Sequence, residues 1–236
     1  DSDLFTFGYE FKPWKEKKAI ADGRSIKAYV EETAAENGIK EHIRFLTRVV
    51  DIDWQSDKHY WRVTLKSEES GQHEHIAARW IFNASGYYRY DKGYAPHFKG
   101  QSQFNGQIVH PQHWPEDLEY ENKRVVVIGS GATAVTLVPA LAKSASHVTM
   151  LQRTPSYVLP VPVDDPIAKH LRAWFSEDTA FKAARWFNIA KQRWVYVFCQ
   201  RFPHRARKII RSLNAKMLPE GYPVDIHFNP PYNPWE

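Results

Sequence analysis

Cysteine, methionine and long apolar runs are scarce in this sequence of 236 residues. The single cysteine, Cys199, excludes an intrachain disulfide and favours a reducing compartment. No apolar run approaches the roughly 18 residues that a membrane span needs, and the first residues lack the basic-then-apolar pattern of a secretion signal. We therefore expect a cytoplasmic protein.

The sequence has too few glycines (11) and prolines (15) for a collagen-like or disordered chain. With 43% hydrophobic and 14% aromatic residues, it can bury a substantial core. These values predict one large globular domain or two small ones.

Positive charge is concentrated in one part of the chain. The whole sequence has a net charge of +5, but residues 166–217 alone contain twelve Lys and Arg side chains and only two acidic ones. Such a segment forms a solvated basic face, a helix that docks on another protein part, a nucleic-acid surface, or a helix lying on anionic lipid. We expect no nucleic-acid partner and predict a weak peripheral contact of 166–217 with the inner face of the membrane.

The first half of the sequence predicts one helix and then a small sheet. Apolar spacing indicates a helix from Ser25 to about Asn37, with Ser25 as N-cap and Gly38 just after its end. Residues 44–54, 59–66 and 75–86 are rich in β-branched and aromatic side chains and are separated by polar turns, which predicts a three-stranded β-meander. Residues 87–122 lack periodicity and are predicted to be a long linker.

A strand, a glycine-rich turn, a helix and a second strand follow the linker. The strands are predicted at 124–128 and 147–151, and the helix extends to about Lys143. The turn contains Gly129-x-Gly131-x-x-Ala134, a pattern in which glycines permit a tight turn and close approach of a pyrophosphate, while Ala134 lets the helix pack on the strand. This context favours a dinucleotide site over a tight turn without a ligand. We call residues 129–134 the glycine loop.

The residues after the second strand indicate which dinucleotide binds. A carboxylate there would hold a ribose 2′-hydroxyl, but the sequence has Gln152-Arg153-Thr154. An arginine pairs with a 2′-phosphate, so the site is predicted to prefer NADPH to NADH, unless Arg153 is simply a solvated surface base. Neither a zinc-type ligand spacing nor a G-x-S-x-G hydrolase motif is present, and no metal site is predicted.

The linker carries a longer and more specific motif. Its residues FNGQIVHPQHWP place Phe104, Gly106, His110, Trp114 and Pro115 in the spacing F-x-G-x-x-x-H-x-x-x-W-P. This pattern resembles the fingerprint of Baeyer–Villiger flavin monooxygenases, and the surrounding sequence is most similar to the ethionamide-activating type. The resemblance covers the whole chain. We call residues 104–115 the fingerprint segment.

The resemblance implies an α/β flavoprotein with two Rossmann-like dinucleotide-binding domains and a three-stranded β-meander, truncated at both ends. It implies that residues 1–86 are the later part of an FAD domain, 87–122 the interdomain linker, and 123–236 an NADPH domain with a basic, aromatic helical insertion. The FAD-binding glycine loop is then expected before Asp1, and an active-site arginine after Glu236.

The resemblance also assigns roles to individual residues. Asp1 matches a residue near the flavin that helps position the active-site arginine and the nicotinamide, so it counts as both catalytic and cofactor-binding. His110 is the second candidate at the active site, as a conformational coupler rather than an acid, with structural packing against Trp114 as the alternative. Val49 matches a residue whose backbone meets the FAD adenine. The residues implied for NADPH are Gly129, Ser130, Gly131, Ala132, Thr133, Ala134, Val135, Arg153 and Thr154.

The activity implied by the resemblance uses FAD, NADPH and O2 to insert one oxygen atom into a ketone, giving an ester or lactone, with sulfoxidation as a second activity. Two alternatives stay open. One is a flavin monooxygenase that oxygenates nitrogen or sulfur, and the other is a non-catalytic NADPH-binding fragment, because only one dinucleotide motif is present.

Overall fold

A computed structural model describes residues 3–86 and 88–235. The chain divides into two compact units, one formed by Asp1–Ala28 with Glu116–Glu236 and the other by Tyr29–Pro115. Asp1, predicted to lie near a flavin, is outside the described residues. No helix among the described residues is long and apolar enough to cross a membrane.

The central feature of the unit Tyr29–Pro115 is an antiparallel sheet. Its strands are β1 (Thr47–Gln55), β2 (Tyr60–Ser67) and β3 (His73–Ala78), in the order β1-β2-β3. The middle strand buries Val63 and Leu65, as expected where one face of a sheet meets a core. The predicted β-meander is therefore present.

The third strand is shorter than predicted. We expected it to continue to Gly86, but β3 ends at Ala78, which pairs with Trp61 near the beginning of β2. Because β2 begins at Tyr60, which lies opposite Arg79 in this register, residues beyond Arg79 have no opposite strand residue to pair with. Trp80 and Phe82 accordingly lie 91% and 97% exposed.

The predicted helix is α2, which extends over Gly23–Glu36. The prediction of Ser25 as its N-cap is wrong, because the Asp22 carboxylate accepts hydrogen bonds from the backbone N–H groups of Arg24 and Ser25, both at 3.0 Å. These bonds satisfy N–H groups that have no partner within the helix. The stop at Gly38 is confirmed by its φ of +62°, a left-handed conformation that glycine adopts without strain.

Residues 88–122 contain only two short 3-10 helices, Gln101–Gln103 and Pro111–His113. Beyond them lies the predicted strand–helix–strand segment. It consists of β4 (Arg124–Ile128), α3 (Ala132–Leu141) and β5 (His147–Leu151), and β4 and β5 pair in parallel. Val127, Ala134 and Leu141 form the core between the helix and the strands.

The unit formed by Asp1–Ala28 and Glu116–Glu236 also contains a helical region. After a first short helix, α1 (Leu4–Phe7), it comprises α4 (Pro166–Trp174), α5 (Glu177–Arg201), α6 (Pro203–Met217) and α7 (Val224–His227). The ring of Phe5 on α1 packs 6.1 Å from that of Phe181 on α5, and both side chains are 1% exposed. The predicted helical character of this basic segment is confirmed.

Two arginines of this region form hydrogen bonds with the backbone near the beginning of the chain. Arg185 donates to the carbonyl oxygens of Phe5 and Gly8 at 2.8 and 2.7 Å, and Arg172 donates to those of Trp14 and Glu16 at 2.6 and 3.1 Å. The basic segment is therefore not simply a solvated face.

Candidate dinucleotide site and fingerprint segment

A cleft of about 500 Å³ opens where β4 and β5 end. In α/β sheets, ligands bind outside the carboxyl ends of parallel strands, and this cleft lies at that edge. Among its lining residues, Arg153 is the one charged side chain. We call it the nucleotide cleft, and its lining is Ile128, Gly129, Ser130, Leu151, Gln152, Arg153 and Thr154.

The two glycines of the glycine loop differ in backbone conformation. Gly129 has a φ of +125°, which side chains rarely adopt, and its N–H donates to the carbonyl oxygen of Leu151 at 2.8 Å. Gly131 has an ordinary extended conformation, and a Cβ placed there would contact nothing within 4 Å. The fold thus requires glycine at 129 but not at 131, and at 131 the backbone faces open space of the kind a phosphate needs.

Helix α3 begins directly after this open space. Gly131 is its N-cap and supplies no side-chain hydrogen bond, so the first-turn N–H groups stay available at the positive end of the helix dipole. Ala132, Thr133 and Val135 are exposed, whereas Ala134 is buried between α3 and β4. The packing part of the sequence prediction for Ala134 is therefore confirmed.

Ser130 connects the glycine loop to the residues that follow β5. Its hydroxyl lies 3.3 Å from the carbonyl oxygen of Thr154 and 3.2 Å from the hydroxyl of Ser156. Thr154 therefore contacts the glycine loop through its backbone carbonyl group. Arg153 lies beside it with an exposed side chain. The structure brings Gly129, Ser130, Arg153 and Thr154 together in one cleft, and their role in binding NADPH stays a prediction.

Sequence reasoning missed the residues that support this cleft. The Gln152 side chain donates to the carbonyl oxygen of His227 at 3.0 Å, and the Tyr157 hydroxyl donates to that of Tyr232 at 2.7 Å. The two tyrosine rings meet edge to face at 5.6 Å. These contacts connect positions about 75 residues apart, and no local pattern in the sequence indicates them.

The fingerprint segment lies in the other unit. Within this segment, the Phe104 ring lies against the backbone of Gly106, where a Cβ would come within 2.5 Å of the ring. His110 is half-buried and precedes the 3-10 helix Pro111–His113, where its Nδ1 accepts the backbone N–H of Gln112 at 3.3 Å. Trp114, at the end of this turn, is 39% exposed.

Two other residues considered at the sequence level have simple surroundings. Val49 lies in β1 opposite Leu65, next to a bulge, with its side chain 52% exposed. Cys199 is 3% exposed, and burial raises the pKa of its thiol, which disfavours the reactive thiolate.

Residues 15–171 match the family described as Flavin-binding monooxygenase-like, which is more than half of the chain. The chain therefore belongs to the flavin-binding monooxygenase-like family. It is 52% identical to the FAD-containing monooxygenase EthA of Mycobacterium tuberculosis, in an alignment covering 100% of this chain and 48% of that protein. It is 44% identical to a probable FAD-binding monooxygenase AlmA of an Acinetobacter species, covering 100% and 47%. The chain spans about half the length of the curated relatives it matches.

Solved structures of proteins with bound NADP are also similar to this chain. A structure of OTEMO in complex with FAD and NADP superposes with a TM-score of 0.61 at 27% identity, over 77% of this chain and 35% of that one. Oxidized steroid monooxygenase bound to NADP gives a TM-score of 0.60 at 30% identity, over 73% and 34%. The predicted resemblance and the predicted α/β fold class of a two-dinucleotide-domain flavoprotein are confirmed.

Proposed function

We propose that this protein is an NADPH- and FAD-dependent monooxygenase of the Baeyer–Villiger type. It inserts one atom of O2 into the carbon–carbon bond beside a ketone carbonyl, giving an ester or lactone. The other oxygen atom leaves as water, and NADPH with a proton supplies the two electrons. Thioethers are a second substrate class. The observation that carries the proposal is the complete fingerprint segment, Phe104 to Pro115.

NADPH fits the nucleotide cleft. The open space at Gly131 and the first turn of α3 would receive the pyrophosphate. Arg153 would pair with the 2′-phosphate, because its planar guanidinium matches phosphate oxygens. NADPH would supply the reducing equivalents, and the chain's own part is to bind and orient the dinucleotide at these residues.

FAD is proposed from the family and not from a second site in this chain. The described residues contain one glycine loop, which we assign to NADPH, and we assign no pyrophosphate-binding residues for FAD among them. Val49 remains the candidate for contact with the adenine, and Asp1 the candidate near the flavin. When bound, FAD would supply the activation of oxygen.

We also propose the functional boundaries 1–86, 87–122 and 123–236, with the fingerprint segment in the linker between the two cofactor domains. His110 would act there as a coupling residue. Its Nδ1 is engaged by the Gln112 N–H, which supports a role in positioning rather than in proton transfer.

A product assay tests this function. The purified chain is supplied with FAD, NADPH and ¹⁸O2, and with cyclohexanone, a thioether or a tertiary amine. We expect a lactone that carries one ¹⁸O atom, and a sulfoxide. Oxygenation of the thioether or amine without any lactone would instead indicate a nitrogen- or sulfur-oxygenating monooxygenase. Binding of NADPH without oxygen consumption would indicate the non-catalytic module.

The weak membrane contact of residues 166–217 also stays a proposal. Trp186 and Trp194 on α5 are 69% and 66% exposed, and Arg193 lies between them on the same helix. Exposed tryptophans beside arginines suit the interface of an anionic bilayer. Co-flotation of the chain with anionic vesicles, but not with neutral ones, would support this contact, and absence of flotation with both would contradict it.

A further inference from the structure

The imidazole of His110 lies directly against the backbone of Gly93. A Cβ built on Gly93 would come within 2.5 Å of the His110 Nδ1 atom and closer still to Cε1 and Nε2. Real Cβ atoms essentially never approach other atoms so closely, so alanine at 93 and the present position of the ring exclude each other. The φ of Gly93 is not left-handed, and therefore the ring, not the backbone conformation, requires glycine here.

The turn after His110 supplies a hydrogen bond to the His110 ring. The backbone N–H of Gln112 donates to the His110 Nδ1 at 3.3 Å. Since an N–H group can only donate, Nδ1 must be the acceptor, and the neutral ring then carries its proton on Nε2. The Gln112 side chain donates to the carbonyl oxygens of Arg89 and Tyr90 at 2.6 and 3.3 Å, just before Gly93 in the sequence.

We propose that Gly93 and Gln112 form a seat that positions His110 and fixes its Nε2–H tautomer. Gly93 supplies the space for the ring, the Gln112 N–H selects the tautomer, and the Gln112 side chain holds the backbone at residues 89 and 90, a few positions before Gly93. Gly93 thus belongs to the functional fingerprint although it lies outside the motif. With Nδ1 accepting the Gln112 N–H and Nε2 carrying the proton, His110 is an N–H donor and not a base. The importance of this donor for turnover rests on the proposed function, whereas the seat itself does not.

Nitrogen NMR of the ¹⁵N-histidine-labelled chain at neutral pH tests the seat without any cofactor. His110→Ala assigns the resonances. In the wild type we expect a protonated Nε2 and an unprotonated Nδ1. Gly93→Ala should displace the ring and give mixed tautomers, whereas Gly23→Ala, where a Cβ meets nothing within 4 Å, should not. A proton on Nδ1 in the wild type, or an unchanged His110 signature in Gly93→Ala, would overturn the proposal.

A second pair of variants does not depend on crowding at Gly93. Gln112→Pro removes the backbone N–H, and Gln112→Ala keeps it. We expect the Nε2–H tautomer to be lost in the first and retained in the second. Retention in both would overturn the assigned role of the Gln112 N–H.

Activity then separates the seat from the proposed function. In the active enzyme, Gly93→Ala and His110→Ala should reduce product formed per NADPH oxidised by similar factors, and the double variant should lose no more than either alone. Multiplied losses would contradict action of Gly93 through His110. If the NMR results hold while neither variant changes this ratio, the seat stands and the coupling role of His110 fails.

Discussion

The hydroxyl of Ser130 lies 3.3 Å from the carbonyl oxygen of Thr154 and so joins the glycine loop to the residues that follow β5. This contact places the loop that would receive a pyrophosphate beside Arg153, which would receive the 2′-phosphate. The contact makes one cleft from two segments more than 20 residues apart in the sequence, and it supports the proposal that one dinucleotide binds to both segments.

Replacement of Arg153 by Asp should change nucleotide preference. We expect the Kd for NADPH to rise about 10- to 100-fold, because a charge-assisted pair with the phosphate is lost and a repulsion is added. The Kd for NADH should change less than about threefold. Fluorescence titration measures both. Arg124→Asp, with the same charge change at the opposite end of β4, is the control, and equal effects of Arg153→Asp on both nucleotides would refute the assignment.

Alanine substitutions at the two glycines of the loop should have different consequences. Gly131→Ala should leave the thermal midpoint unchanged and weaken NADPH binding by about tenfold or more, because the added Cβ occupies space that only a ligand uses. Gly129→Ala should destabilise the fold by about 1–3 kcal/mol, since its φ of +125° is strained for alanine. If Gly131→Ala bound NADPH normally, the pyrophosphate would not lie at that position.

Enlargement of Ala134 should test the contact between helix and strand. Ala134 is 6% exposed and packs with Val127 and Leu141, so Ala134→Leu should cost about 1–3 kcal/mol in the free energy of unfolding. Ala140→Leu makes the same change at an exposed position of α3 and should be nearly neutral. Chemical denaturation compares them, and equal stabilities would mean that Ala134 does not govern this packing.

A pH dependence is expected at the pair formed by Arg211 and Asp225. Two hydrogen bonds, at 2.5 and 2.6 Å, join the guanidinium to the carboxylate and lower the pKa of Asp225 below its ordinary value of 3.8. A carboxylate whose pKa is lowered by folding stabilises the folded state at pH values above its ordinary pKa. This stabilisation is lost as the pH falls through the lowered pKa.

Asp225→Asn should therefore reduce the thermal midpoint at neutral pH, and the difference from the wild type should shrink as the pH falls below 3.8. Thermal melts across this range measure it. Asp178→Asn is a suitable control, because it removes an exposed i,i+4 partner of Lys182 within one helix. A difference for Asp225→Asn that does not depend on pH would contradict the linkage.

Local patterns in the sequence predicted most of the secondary structure. Parallel strands β4 and β5 and the intervening α3 follow from short apolar runs around a glycine turn, and these were predicted almost to the residue. The N-cap of α2 was missed because Asp22 and Ser25 are both good capping residues, and only the backbone geometry distinguishes them. Residues 79–86 resemble a strand in composition, but strand formation needs an opposite partner, which composition does not reveal.

The candidate sites were predictable only where their residues are close in sequence. Arg153 was found because it follows β5 directly. The support of Gln152 by the His227 carbonyl, and the contact of His110 with Gly93, depend on how the chain folds back on itself. No residue pattern specifies such contacts, and a glycine required by a distant ring looks like any other linker glycine.

An absorption titration tests the central claim most directly. The chain is mixed with FAD, freed of unbound flavin, and titrated with NADPH under nitrogen before air is admitted. The proposed function predicts that NADPH bleaches the visible flavin band under nitrogen and that the band returns in air with consumption of oxygen. Retention of a flavin that NADPH leaves oxidised, or binding of NADPH with no flavin retained, would contradict it.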